Sequence, residues 1–390
     1  MRQTVLLATT VNWPSAARLA GAFAVLGASV EAVAPRGHVL GVSRYPKHVH
    51  CYRPLQPLAS FAAAVEAAEP DFVVPCDDRA LGLLLALPEY ELLLRHSIGP
   101  LESYAVLMAR STSIAAAREE GIAAPLTLPV PDSAALAGAL ARVGLPCVLK
   151  SDASWGGGGV KLVHSKEEAE RAFAVLKGPP SRLRSLARAV LRKDLHFVAE
   201  AITPRASCVN VQAFIPGKPA TTVFAARDGA VLASLHMDVI DWDGTTGPAK
   251  RMRQVQCPHM EEAARRIAAR FGLSGLQGLD FVRDEEGLPH LIEINPRATQ
   301  ICHLALGSDL PAALLGVPPR RAATTGSQIA LFPQLLAGER GGRAVYEDIP
   351  WDDPVVLRAL AGDDALHEAE GLEAIPEFAR PGGAPPIFRR

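Results

Sequence analysis

The sequence has almost no charge imbalance: 40 Lys and Arg stand against 41 Asp and Glu, for a formal net charge of -1. A nucleic-acid binder needs a basic excess to draw in the phosphate backbone, so that class is set aside and a small-molecule partner is expected. Cysteine is scarce and scattered. Cys51, Cys76, Cys147, Cys208, Cys257 and Cys302 form no CxxC pair, which disfavours a zinc site or a disulfide framework and fits buried thiols in a reducing compartment. No apolar run approaches the ~18 residues of a membrane span, so no membrane partner is expected. Near the N-terminus Arg2 precedes the apolar TVLLATT, as in a secretory leader. Asn12, Trp13, Pro14 and Arg18 then interrupt the stretch, which reads as strand, loop and helix. A cytoplasmic protein is expected. With 49% hydrophobic and 21% charged residues over 390 positions, the chain has material for two or three domains with real cores.

Runs at 4–8 (TVLLA), 29–33 (SVEAV) and 71–75 (DFVVP) alternate with Ala-rich helical stretches at 15–27 and 58–68. Such alternation makes βαβ units and a parallel sheet, so residues 1–108 are expected to form an open α/β domain. Its first turn, TTVNWPS, has no GxGxxG and gives a NAD site little support. PCDDRAL (75–81) sits at a strand-to-helix junction, where ligands often bind; the simpler reading is that Asp77 or Asp78 caps the helix. A helix over 104–120 ends near Gly121, and another over 133–143 leads into the strand LPCVLK. A basic helical segment at 181–193 reads as a solvated face. It is followed by the strands HFVAEAI and CVNVQAFI, a hairpin turning at Asp228-Gly229, a helix at 259–271 and a second hairpin, LQGLDFVRDEEGLPHLIEINPR. Residues 317–390, rich in Pro, Gly and Arg, read as an appended extension.

Two stretches carry chemistry. In SDASWGGGGVKLVHS, the glycines Gly156, Gly157, Gly158 and Gly159 run into a strand-like VKLVH rather than a helix, so this is no Walker loop. A strand–loop–strand element of this kind lets backbone N–H groups fold over an anion, and Lys150 and Lys161 flank it; a flexible hairpin tip is the plainer alternative. In the second hairpin, Glu293 and Asn295 are two apart and share a face. A loop of two or four residues would set Asp280 opposite position 291 or 293, on that same face. Two carboxylates and an amide oxygen would then converge, a hard-oxygen set suited to Mg²⁺ on nucleotide phosphates. Arg297 is expected one strand step further on, where its charge suits phosphoryl transfer.

Together, VLKSDASWGGGGV and LDF…LIEINPR resemble the ATP-grasp superfamily, and the α/β region before them resembles its pre-ATP-grasp domain. NPRATQICHLALGSDLPAALLG is further similar to the matching segment of carbamoyl phosphate synthase large chains. The resemblance implies an α/β and α+β protein: a Rossmann-like parallel-sheet domain over 1–108, a two-subdomain ATP-grasp fold over 109–316 and a small C-terminal extension over 317–390. Within the middle unit, a lid-bearing part would span about 109–210 and a metal-bearing part about 211–316. Residue by residue, the resemblance implies that Lys150 and Arg110 contact phosphates and that Gln212, Ala213, Phe214 and Ile215 border adenine. It makes Asp280, Glu293 and Asn295 ligands of Mg²⁺, with Mn²⁺ as the substitute, and sets Arg297 by the transferred phosphoryl group. One departure stands out: Lys218-Pro219 occupies the place of the usual acidic ribose ligand.

The activity so implied is ATP-dependent ligation of a carboxylate to an amine, with ADP and phosphate released and small-molecule substrates as partners; a homodimer is a candidate assembly. A carboxyphosphate- or carbamate-forming enzyme and a non-catalytic nucleotide-binding module are the alternatives. Arg251 and Arg253 in AKRMRQV share a strand face and could hold a carboxylate substrate. His236, Asp238, Trp242 and His303 are further candidates for the cleft.

Overall fold

The computed structural model describes residues 2–152, 159–178, 208–242, 247–320, 328–337 and 345–361. The basic segment at 181–193, the strand HFVAEAI, and Gly156, Gly157 and Gly158 lie outside the described residues.

The first unit is a parallel sheet of β1 (Thr4–Ala8), β2 (Ser29–Pro35), β3 (His48–Tyr52) and β4 (Phe72–Pro75), in the order β3-β2-β1-β4. Strand β3 had no sequence signal. It is an edge strand, HVHCY, with only Tyr52 buried, and it lacks the apolar alternation that marks a half-buried strand. Helix α1 (Ser15–Val25) contributes Leu19 and Phe23 to the cluster on one face of the sheet, with Val5 and Leu7. Helices α2 (Pro57–Ala68), α3 (Asp78–Leu85) and α4 (Glu91–Ile98) bury Phe61, Leu84 and Leu94 with Leu6 and Ala8 on the other. The strand order reverses between β1 and β4. Crevices at such a switch point, outside the carboxyl ends of the strands, are where open α/β sheets take ligands. Asp77 caps α3 through the Ala80 amide at 2.8 Å, as the simpler reading of PCDDRAL held. It also spans the crevice, accepting from the Thr10 amide at 2.6 Å and the Thr10 hydroxyl at 2.8 Å.

Helices α5 (Tyr104–Leu107) and α6 (Arg110–Glu119) lead into a smaller antiparallel sheet of β5 (Thr127–Val130), β6 (Cys147–Ser151), β7 (Val160–Val163) and β8 (Val209–Ala213). Helices α7 (Ser133–Val143) and α8 (Lys166–Lys177) close its own core of Leu136, Leu140, Leu149, Phe173 and Val211. Strands β6 and β7 pair antiparallel around the glycine loop, so that element is strand–loop–strand.

The third unit is a seven-stranded sheet ordered β13-β12-β9-β10-β11-β14-β15. Its strands are β9 (Lys218–Arg227), β10 (Ala230–Trp242), β11 (Ala249–Gln254), β12 (Gly275–Arg283), β13 (Pro289–Asn295), β14 (Gln328–Leu331) and β15 (Val345–Asp348). Helix α9 (Pro258–Phe271) covers one face with Met260, Ile267 and Phe271. On the other face Val223, Met237 and Ile301 join Val5, Leu7 and Phe23 in one cluster, so the large sheet and the first unit share a core. The β9–β10 turn has positive φ at Asp228 (49°) and Gly229 (82°), as a tight hairpin needs. Strands β14 and β15 come from the segment that composition set apart as an extension; β14 pairs with β11 and β15 with β14, at the edge of this sheet. Among the described residues, no helix is long and apolar enough to cross a membrane.

Strand β15 is held to α1 by ions. Asp348, buried, receives Arg18 and the His303 ring, each at 2.8 Å. Burial alone would raise its carboxyl pKa, but His303 and Arg18 hold it down at about 2. A folded pKa below the unfolded one gives stability that is complete above about pH 4 and is lost as pH falls toward 2. Unfolding by urea should therefore lose about 2 kcal/mol more between pH 5 and pH 2 in the native chain than in Asp348→Asn. Equal losses in the two would remove Asp348 from the acid transition.

Candidate active site

The acidic residues stand on β12 and β13. Arg283 pairs with Pro289, so five residues close the hairpin, and this spacing alone would set Asp280 opposite Ile292. The register slips by one residue beyond the Phe281–Leu291 pair, and Asp280 faces Glu293 instead. The loop differs from the two- or four-residue closure expected, and a bulge makes up the difference. Asn295 donates from Nδ2 to Asp280 Oδ2 at 2.9 Å. The strand ends at Asn295, so Arg297 is not a further strand step. It lies in a turn closed by its own amide on the Asn295 carbonyl at 2.7 Å, and its Nη2 donates to Asn295 Oδ1 at 3.1 Å.

The bulge also seats the smaller sheet. The Ile292 carbonyl accepts from Gln212 Nε2 at 3.2 Å and, at a longer 3.5 Å, from Lys150 Nζ. Gln212 is tied further to Thr127 Oγ1 at 2.9 Å. Beyond it Ala213 ends β8, and Phe214 and Ile215 begin the short link to β9, so this segment joins the two sheets. Gly217 closes the link with φ of 157°, and a Cβ there would collide with the Arg283 carbonyl. Gly159 accepts the Ser151 amide at 3.0 Å where β7 begins.

Cations surround the carboxylates. Arg110, first residue of α6, sets Nη1 2.6 Å from Glu293 Oε2 and Nε 3.7 Å from Asp152 Oδ1. Arg297 grips Asp78 through Nε at 2.6 Å and Nη2 at 3.1 Å. Burial raises the Asp280 pKa and the Glu293 charge adds to this, while Thr221, Asn295 and Arg297 offset it in part. Burial lowers Lys150 to about 8; Glu293 and Asp280 favour its charged form, and Arg110 opposes it. Asp78 would be raised by burial, but Arg297 holds it below the usual carboxylate range.

Among the described residues no three His, Cys, Asp or Glu gather as a self-sufficient metal site. Two carboxylates and an amide on one strand pair form an all-oxygen set that fits Mg²⁺ shared with phosphate oxygens.

The substrate candidates fall elsewhere. Met252 packs with Met237 and Val223 on the sheet face that bears Asp280. Its neighbours Arg251 and Arg253 therefore lie on the opposite face, a correction that follows from strand alternation. Arg251 stands 3.8 Å from Asp241. Asp238 is spent on Arg283 Nη1 at 2.8 and 2.9 Å, and His236 Nδ1 meets Thr222 Oγ1 at 2.9 Å. Trp242 ends β10, and His303 is buried against Asp348.

Asp78 was named in the sequence only as a candidate helix cap, and its part in holding Arg297 was not foreseen. Two residues escaped notice. Asp152 stands two positions from Lys150, which should have placed it on the same face. Asn210, a buried amide in the otherwise apolar start of β8, donates to Asp152 Oδ1 at 2.9 Å.

Residues 121–300 match the family described as the ATP-grasp domain. The chain is similar in fold to N5-carboxyaminoimidazole ribonucleotide synthetase from Thermus thermophilus, with a TM-score of 0.59 and 19% identity, covering 83% of this chain and 81% of that one. The biotin carboxylase domain of Hydrogenobacter thermophilus 2-oxoglutarate carboxylase, a dimer solved with MgADP, ADP and bicarbonate, gives 0.56 and 16%, covering 83% and 71%. L-amino acid ligase from Bacillus licheniformis gives 0.58 and 15%, covering 83% and 77%. No curated protein matches by sequence.

Lys150 should titrate near pH 8 in the ligand-free chain. Glu293→Gln removes a charge that favours the ammonium, so it should lower that value further. Lysine side-chain NMR against pH reads both, and an unchanged or raised value in the variant would contradict the arrangement.

Proposed function

We propose, from the premise that residues 121–300 are an ATP-grasp domain, that the chain is an ATP-dependent ligase. It passes the γ-phosphate to a carboxylate, and an amine then displaces phosphate from the acyl phosphate. The observation that carries this reading is the meeting of Asp280, Glu293 and Asn295 with Arg110, Lys150 and Arg297 beside the junction of the two sheets. Nucleotide would lie in that junction, with adenine along Gln212, Ala213, Phe214 and Ile215 and the phosphates toward Lys150, Arg110 and the glycine loop ending at Gly159. Asp280, Glu293 and Asn295 would hold Mg²⁺, or Mn²⁺ in its place. When bound, the ion supplies positive charge to the phosphate oxygens.

The chain's own groups do the rest. Bound phosphate would strengthen the charged form of Lys150, which burial disfavours. Arg110 is held at the carboxylates, ready to turn to phosphate. Arg297 offsets charge on the transferring phosphoryl group, and Asp78 positions it through two hydrogen bonds. A second reading has bicarbonate as the phosphoryl acceptor, favoured by the structural neighbour solved with MgADP and bicarbonate.

An acyl phosphate route moves one carboxylate oxygen into the released phosphate. An ¹⁸O-labelled carboxylate substrate should give singly labelled phosphate and ADP, and unlabelled phosphate would reject the route. Label arriving from ¹⁸O-bicarbonate would select the second reading. Arg297→Ala should lower kcat by roughly a hundredfold, from a loss of ~3 kcal/mol, with ATP affinity within a few fold. Asp78→Asn should lower kcat by a smaller factor, about tenfold, as Arg297 loosens. A loss confined to ATP binding in both variants would reassign the pair to nucleotide anchoring.

A further inference from the structure

The smaller sheet has two unlike faces. Leu149 and Val211 turn into its own core, so by alternation Lys150, Asn210 and Gln212 turn the other way, with Asn210 paired directly opposite Lys150. The Asp152 amide reaches the Cys208 carbonyl at 2.9 Å, which carries the ladder one residue further and brings Asp152 onto the same polar face. Lys150 and Gln212 are accounted for by the Ile292 carbonyl. Asn210 is not.

Asn210 is fully buried, and its Oδ1 has no hydrogen-bond partner among the described residues. An unmet buried acceptor costs the fold free energy, so stability does not account for this amide. What it does is fix Asp152, by donating from Nδ2 to Oδ1 at 2.9 Å. The opposite orientation would set the amide oxygen against the carboxylate, so the charge on Asp152 dictates which way the amide faces.

Asp152 in turn holds Arg110 at two points. Its Oδ1 accepts from the Arg110 main-chain amide at 3.4 Å and lies 3.7 Å from Arg110 Nε. Arg110 opens α6, and Ala109 before it has no side chain that could cap the helix, so Asp152 supplies the carboxylate from another sheet. Asp152 is itself anchored at the root of the glycine loop, where the neighbouring Ser151 amide bonds the Gly159 carbonyl at 3.0 Å. The far end of the guanidinium, Nη1, rests on Glu293. These two carboxylates have different fates in the ligase reading. Glu293 is a ligand for Mg²⁺ and gives up its arginine when nucleotide arrives, whereas Asp152 has no such duty.

We propose that Asp152 is a positioning residue for phosphate binding, acting through Arg110, with Asn210 fixing it for that task. It keeps the Nε edge and the start of α6 in place, so the terminal nitrogens of Arg110 meet the phosphates without a search among rotamers. The inference rests on the ligase reading, in which Arg110 contacts phosphate.

Affinity for the β,γ-imido analogue of ATP with Mg²⁺, measured by calorimetry on the full chain, tests this without any acceptor substrate. Asp152→Ala should weaken binding about tenfold in the native background, and by less than about twofold when Arg110 is already alanine, because the effect passes through that side chain. Unchanged or tighter binding in Asp152→Ala would make Asp152 no more than a counter-charge to the arginine, and would overturn the inference. Equal losses in the two backgrounds overturn it by making Asp152 structural, and unchanged affinity in Arg110→Ala overturns it by removing the group to be positioned. Asn210→Leu, close in size, deletes the donor to Asp152 together with the unmet oxygen. It should weaken binding about threefold without lowering the melting temperature, an outcome that a purely structural role would not give. If Asp152→Ala does not fold, Asn210→Leu decides, and unchanged affinity, or a loss that persists in Arg110→Ala, overturns the inference. All of these results leave nucleotide binding and the ligase reading standing, whereas a native chain that binds no nucleotide defeats both.

Discussion

Two carboxylates side by side on neighbouring strands repel, and burial makes the repulsion worse, so Asp280 and Glu293 dictate what must surround them. Each structural unit answers with a cation or a group that orients one. Helix α6 brings Arg110, the smaller sheet brings Lys150, and the first unit brings Asp78, which holds Arg297 beside Asn295. The charges do not cancel locally. Three cations face two central acids, and Asp78 and Asp152 stand behind as counter-charges. A site balanced in this way can accept the negative charge of phosphates by exchanging partners, without first exposing a bare cation to a dry interior.

The bulge at Ile292 links this electrostatic centre to the architecture. A bulged residue leaves the regular ladder, and here its carbonyl is met by Gln212 and Lys150 from the smaller sheet. The same irregularity that turns Glu293 toward Asp280 therefore also seats one sheet against the other. The smaller sheet keeps its own core of Leu136, Leu149 and Val211, apart from the cluster that unites the large sheet and the first unit. A unit with a separate core meets the other two through surface contacts, such as those on the Ile292 carbonyl, and not through a common interior. The shared core keeps Asp78 and Arg297 in register across the boundary, which a motion between those two units would break.

The same boundary carries a second cluster of ions. Arg18 from α1 and Asp348 from the edge strand β15 lock together, and His303 is oriented by that lock. Strand β15 thus does more than cover a sheet edge: its terminal carboxylate aligns a ring on the segment that carries Arg297.

Much of this was written in the order of the residues. Alternating runs and helical stretches sufficed for the parallel first sheet, because period-2 and period-3.6 patterns are local properties. The β6–β7 element and the face shared by Glu293 and Asn295 followed from strand alternation alone. Other features needed distant parts of the chain. The exposed edge strand β3 has no apolar pattern to read, and a bulge leaves no mark in composition, so the Asp280–Glu293 pairing depended on a register that only the folded hairpin supplies. Arg251 and Arg253 were correctly placed on one face, but which face meets the acids is set by packing of Met252 into a core built from three segments. The Asp78–Arg297 and His303–Asp348 pairs join residues 219 and 45 positions apart. Sequence fixes what each side chain can do, but the partner that holds it is chosen by tertiary packing, because ion pairs and cores form between whichever segments the sheets bring within a few ångströms.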